Sequence, residues 1–220
     1  MRPRPRILAT TVVSLLAAAL LAGCASSDWS QPHPAPTAIG ALGEGFLPTD
    51  PPSPEATIDP APGSWDDVRP SPGFRVVLLH SGDEPEVATL TDAVRDWAAA
   101  DDVDLREVPV GEHPIDSVVE AMDLHPDLII SAGNDLIDPL AAVTPSHLDQ
   151  LFLVVGAELA EPTENVTSVD WTGAAFRGEG LGAASQYDPA SFTAERCAAA
   201  VRAGVAAVLH GDTGIVLWID

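Results

Sequence analysis

The chain has 220 residues, 33 acidic side chains against 10 basic ones, and a formal net charge of -23. Every basic residue is an arginine, so lysine Schiff-base chemistry and a P-loop lysine are excluded. Acidity of this strength repels phosphate backbones and disfavours adhesion to anionic headgroups through charge alone, so nucleic acid is not an expected partner.

In chain order, Arg2, Arg4 and Arg6 precede an uncharged, mostly apolar run over residues 7–21. That run is short for a membrane span, which needs about 20 residues, and suits the core of a signal peptide. It ends in Leu21-Ala22-Gly23-Cys24, which resembles a bacterial lipobox. In signals of that class a peptidase cuts before the cysteine and the thiol carries a diacylglycerol. The resemblance implies a signal peptide over residues 1–23, a lipidated Cys24, and an extracytoplasmic protein anchored to the cell membrane. Cys197 is then the one remaining cysteine, which leaves no intrachain disulfide. It falls in an Ala-rich helical stretch, where a buried small apolar side chain is expected.

Residues 24–73 are crowded with prolines, among them Pro48, Pro51, Pro52, Pro60 and Pro62. Proline cannot sustain helical or ladder hydrogen bonds, and apolar residues are few, so a disordered, semi-extended tether is expected. Trp29, Phe46 and Trp65 are its isolated aromatics.

The folded part is expected over residues 74–220. Residues 74–80 form a nearly continuous apolar run, the mark of a strand covered on both faces. Residues 86–100 follow at helical spacing, with Val87, Leu90, Val94 and Trp97 on one face. A strand over 103–108, a helix over 115–124 and a strand over 127–131 come next. A helix over 134–143 breaks before Pro145, and strands follow at 151–155 and 166–171. Residues 176–184 are glycine-rich and unassigned. A helix from 193 to about 209 then leads to a last strand over 214–219. Strands alternating with helices imply an α/β fold: a doubly wound, mostly parallel, Rossmann-like sheet in a single lobe.

Ligands of such sheets sit outside the carboxyl ends of the strands. Three strand ends here are polar and glycine-containing, which singles out Ser81, Gly82, Asp83, Gly133, Asn134 and Asp170 as candidate contacts to a small polar solute. The same residue types are ordinary caps and turn formers. The Gly178-Glu179-Gly180-Leu181-Gly182 run lacks full dinucleotide-loop spacing, and no zinc spacing, G-x-S-x-G elbow or P-loop occurs. No catalytic residue, metal or cofactor is therefore expected, and the chain is read as a non-enzyme. Asn165-Val166-Thr167 matches a glycosylation sequon, taken as coincidence in a bacterial lipoprotein.

Asp127-Leu128-Ile129-Ile130-Ser131-Ala132-Gly133, Leu151 to Val155, Asn165 to Val169 and the stretch from Phe176 to Gly182 resemble motifs of the basic membrane protein (BMP, PnrA-like) family. That family comprises solute-binding lipoproteins of ABC importers that often take nucleosides. The resemblance implies a periplasmic-binding-protein-type lobe, an ABC permease as partner and a nucleoside or other small polar solute as ligand. This chain departs from the pattern in three places. Gly156 stands where the family has an acidic residue, Asp83-Glu84-Pro85 replaces its ligand turn, and one lobe is present where the family closes two. The competing expectation is an envelope scaffold lipoprotein whose lobe contacts a partner protein.

Overall fold

The computed structural model describes residues 28–176 and 187–219. The chain falls into two units, residues 1–31 and 32–220. Of the first, residues 28–31 are described, a turn in which the Asp28 carboxylate accepts from the Ser30 N–H and hydroxyl at 3.0 and 2.6 Å. The expected signal peptide and Cys24 lie outside the described residues. Among those residues no helix is long and apolar enough to cross a membrane.

The second unit begins with three two-residue strands, β1 (Ala38–Ile39), β2 (Thr57–Ile58) and β3 (Arg69–Pro70). It continues through β4 (Arg75–His80), α1 (Pro85–Ala100), β5 (Asp104–Pro109), α2 (Pro114–Asp123) and β6 (Leu128–Ala132). A 3-10 turn then leads into α3 (Ile137–Val143), followed by β7 (Phe152–Val155), β8 (Ala157–Glu158), β9 (Val166–Asp170) and β10 (Ala175–Phe176). The last elements are α4 (Ala194–His210) and β11 (Val216–Trp218).

The main sheet runs β5-β4-β6-β7-β9-β11-β2, and every neighbouring pair along it is parallel. The doubly wound α/β fold read from the alternating pattern is what the chain adopts. Val76, Leu78, Leu128, Ile130, Leu153 and Val155 join one buried cluster with residues of α1 and α4. The alternate residues Val77, Leu79 and Ile129 are equally inaccessible, as a sheet covered on both faces requires. α1 packs on α4, and α2 on α3. Gly204 lets α4 approach closely: a Cβ there would meet Leu153 Cδ1 at 2.5 Å and Val169 Cγ2 at 2.8 Å. Thr193 caps α4 by accepting from the Arg196 N–H, and Gly211 ends it in the left-handed conformation. Cys197 is fully buried on this helix, and burial pushes its thiol up to about 11, which makes it inert packing.

The expectation of a disordered tether over residues 24–73 is corrected from residue 32 onward. Residues 32–73 form an ordered strap on the lobe. β1 pairs with β3, and β2 adds to the sheet beside β11. Phe46, Ile58 and Trp65 belong to the main core cluster, with Phe46 and Trp65 packed edge to face at 6.4 Å. The prolines are tolerated because the N–H groups around them find carbonyls: Glu55 N to Gly214 O at 2.8 Å, Ala61 N to Gly45 O at 2.9 Å, and Gly43 N to Ser64 O at 2.6 Å. His33 Nε2 lies 2.8–2.9 Å from both oxygens of Asp127, whose Oδ2 also accepts the Arg75 N–H. A large aromatic buries about 150–250 Å². At about 25 cal/mol per Å², two such rings contribute about 8–12 kcal/mol, a minor share of what must offset the entropy lost in ordering the strap, and the backbone hydrogen bonds and the pairing of β2 with β11 add to it.

Candidate functional site

The first strand, β4, sends the chain out to β5 on one side, and β6 returns on the other. This reversal makes the carboxyl ends of β4 and β6 the topological switch point, where open parallel sheets hold their ligands. Ser81 follows β4 and Gly133 follows β6. Their turns touch: the Ser81 N–H donates to Ala132 O at 3.1 Å, and a Cβ on Gly133 would stand 2.8 Å from the Ser81 carbonyl oxygen. With φ at 120°, Gly133 is a position only glycine fills without strain.

Two adjoining hollows open over these turns. The inner one, about 10 Å³, lies among Leu90, Gly133, Asn134, Gly156, Tyr187 and Phe192. It is nearly closed, with room for at most one water. The outer one, about 160 Å³, is lined by Ser81, Glu84, Glu86, Val87, Asn134, Asp135 and Tyr187. Gly156 shows what fills the crevice. A Cβ there would meet the Phe192 ring at 2.6 Å and Trp171 at 3.0 Å, so aromatic rings occupy the space beside it. Phe192 stacks edge-on to Trp171 at 4.9 Å and sits 6.0 Å from Tyr187. Trp171 is itself tied by its indole N–H to Ser191 Oγ at 2.9 Å.

Acceptors dominate the outer hollow. Glu84, Glu86 and Asp135 bring three carboxylates, and the Tyr187 hydroxyl donates to Glu86 Oε1 at 2.8 Å. Burial, aided by that hydrogen bond, holds the Tyr187 phenol well above its usual range, so it remains a neutral donor. Asn134 Oδ1 is buried and has no hydrogen-bond partner among the described residues. A buried acceptor left without a donor costs about 1–3 kcal/mol. The carboxylates line the hollow without converging, and among the described residues no group of three or more His, Cys, Asp or Glu side chains could hold a metal ion.

Of the sequence-derived candidates, the structure thus brings Ser81, Gly133 and Asn134 together. Gly82 and Asp83 are exposed on the β4–α1 turn and line neither hollow. Asp170 also lines neither. It ends β9 in register with Trp218, is 1% exposed, and accepts the Trp171 N–H at 2.8 Å. Burial pushes its carboxyl up to about 7, against the pull of that N–H and with help from the Glu158 charge. The Gly178 to Gly182 run lies outside the described residues. Asn165 of the sequon is buried, and its amide donates to the carbonyls of Thr144, His147 and Gln150 at 2.9–3.2 Å. Sequence reasoning missed Glu84, Glu86, Asp135 and Tyr187. Acidic residues opening helices after strands were a signal for the first three; Tyr187 is 101 positions from Glu86 and gave none.

No protein-family model matches the chain, and no curated protein matches it. Among solved structures, it is similar to ABC transporter system solute-binding proteins from Aeropyrum pernix K1. The identity there is 21%, over 45% of this chain and 29% of that one, with a TM-score of 0.39. It is also similar to an ABC transporter system solute-binding protein from Conexibacter woesei DSM 14684, at 20% identity over 44% of this chain and 35% of that one, TM-score 0.36. A periplasmic ribose ABC transporter from the same organism shares 15% identity over 68% of this chain and 54% of its own, TM-score 0.37. The chain spans roughly a third of the length of the first two.

Proposed function

We propose that the chain is a membrane-tethered solute-binding lipoprotein, anchored through Cys24, that captures a small polar solute at the switch point without transforming it. The observation that carries this reading is the acceptor-lined outer hollow, with Asn134 Oδ1 orphaned at the reversal of strand order. Three carboxylates and an unmet amide oxygen favour a solute rich in N–H and O–H donors, such as an amino sugar, a small amine or a nucleoside. The overall charge of -23 adds attraction for any cationic member of that class. The lipobox-like segment at Cys24 and the stretches that resemble motifs of the basic membrane protein family support an ABC permease as the recipient.

Thermal-shift and calorimetric titration with amines, amino sugars and nucleosides tests the reading. At least one is expected to bind, with Glu86→Gln or Asp135→Asn weakening it at least tenfold. Absence of any binder, or affinities untouched by both changes, overturns it. The scaffold alternative has an observation of its own: Ile115 and Val119 stand one turn apart on α2, 50% and 39% exposed. Capture of a membrane partner lost in Ile115→Ser, together with no solute binding, would favour it.

A further inference from the structure

A cavity larger than either of these hollows lies away from the switch point. It is a half-open hollow of about 780 Å³ between the strap, the first turns of α4 and the end of β11. Its walls carry Asp59, Pro60, Trp65, Glu195, Arg196 and Trp218. Because α4 runs antiparallel to the strands, this space also lies outside the carboxyl ends, at the opposite flank of the sheet from the outer hollow.

The walls are held in place. The parallel pairing of β2 with β11 fixes the strap just ahead of Asp59. Ala61 N–H to Gly45 O at 2.9 Å holds the chain just after Pro60, and Ser64 N–H to Ala61 O at 3.0 Å closes the turn that leads to Trp65. Trp65 is set by Phe46, and its buried indole N–H has no partner among the described residues. Arg196 donates through Nη1 to the Ser191 carbonyl at 2.9 Å, which leaves the rest of its donor fork uncommitted to that bond. A cavity within the roughly 300–1,000 Å³ of ligand sites, walled by rigid elements, is preorganised for binding.

We infer that this cavity is a second binding site, for a neutral carbohydrate. Two carboxylates beside one guanidinium repel an anion, and together they offer both acceptors and a donor to a ligand. They match a neutral ring bearing hydroxyls, each both donor and acceptor: the carboxylates accept, the guanidinium donates, and the apolar ring face lies on tryptophan and proline. A purely apolar ligand would leave the three charged groups unmet.

The test uses the full chain in detergent, titrated with glucose, galactose, arabinose, N-acetylglucosamine and their disaccharides, read by calorimetry and tryptophan fluorescence. At least one sugar is expected to bind saturably, with Asp59→Asn, Glu195→Gln and Trp218→Ala each weakening it at least tenfold. Asp59 and Glu195 are exposed, so their variants keep the fold even where Trp218→Ala does not. Glu86→Gln and Asp135→Asn, in the outer hollow, should leave sugar affinity unchanged, which separates failure here from failure of the proposed function. No saturable binding by any sugar overturns the inference. So does binding indifferent to Asp59→Asn and Glu195→Gln, or a cavity that takes only methylammonium or inorganic phosphate as probe.

Discussion

Asp170→Asn should stabilise the protein relative to wild type by an amount that grows as pH rises from about 4 to about 7 and then levels off. The wild-type carboxyl is buried at the end of β9 and titrates near 7 instead of 3.8, chiefly through burial. The folded state therefore keeps its proton to higher pH than the unfolded chain does. This contribution to stability is fully present below about pH 4, declines as pH rises from there to about 7, and is gone above it. Each pH unit of that gap corresponds to about 1.4 kcal/mol. The sequence pI is near 4.2, so a practical window is pH 5 to 8, over which wild type should lose about 2–3 kcal/mol through this group. Asparagine presents the same Oδ1 to the Trp171 N–H and cannot ionise, so the loss should vanish in the variant. Urea unfolding of both proteins at pH 5, 6, 7 and 8 measures the difference directly. At about 2–4 °C per kcal/mol for a domain of this size, melting temperatures should diverge by roughly 5–10 °C at pH 8 relative to pH 5. A difference that stays flat with pH, or a variant less stable at pH 8, would refute the reasoning.

Two further outcomes follow from the packing. Trp65→Ala should cost about 3–5 kcal/mol in chemical denaturation, because it empties a core position under the strap; a tether without structure would show no change. Asn165→Ala should cost about 2–4 kcal/mol and expose the segment from Thr144 to Gln150 to proteolysis, since its amide binds three carbonyls there; unchanged stability and cleavage would remove Asn165 as the organiser of that loop.

The lobe was legible in the sequence wherever one physical signal dominated. A run such as Val76-Val77-Leu78-Leu79, short and bounded by a polar turn, suits a strand buried on both faces, and the spacing of Leu90, Val94 and Trp97 buries one side of a helix. The strap escaped because its stability is not periodic. It rests on isolated aromatics and on β11, a partner more than 150 positions away along the chain. At the candidate site, the rule that strand ends carry ligands located Ser81, Gly133 and Asn134, but it could not say which polar turns converge. Asp170 ends its strand as the rule asks, yet its side chain is enclosed beside Trp171, and that is a property of packing. The crowding of Gly156 by the Phe192 ring was visible only in three dimensions.

An ordered strap also changes the reach of the molecule. Were residues 24–73 free, a lipid on Cys24 would leave the lobe to roam a wide volume above the bilayer. With the second unit beginning at Pro32, seven residues lie between it and the proposed anchor, a leash of at most about 28 Å when fully extended. A partner in the same membrane would then meet the lobe at millimolar effective concentration, so weak contacts suffice, and any docking surface must lie within that short radius.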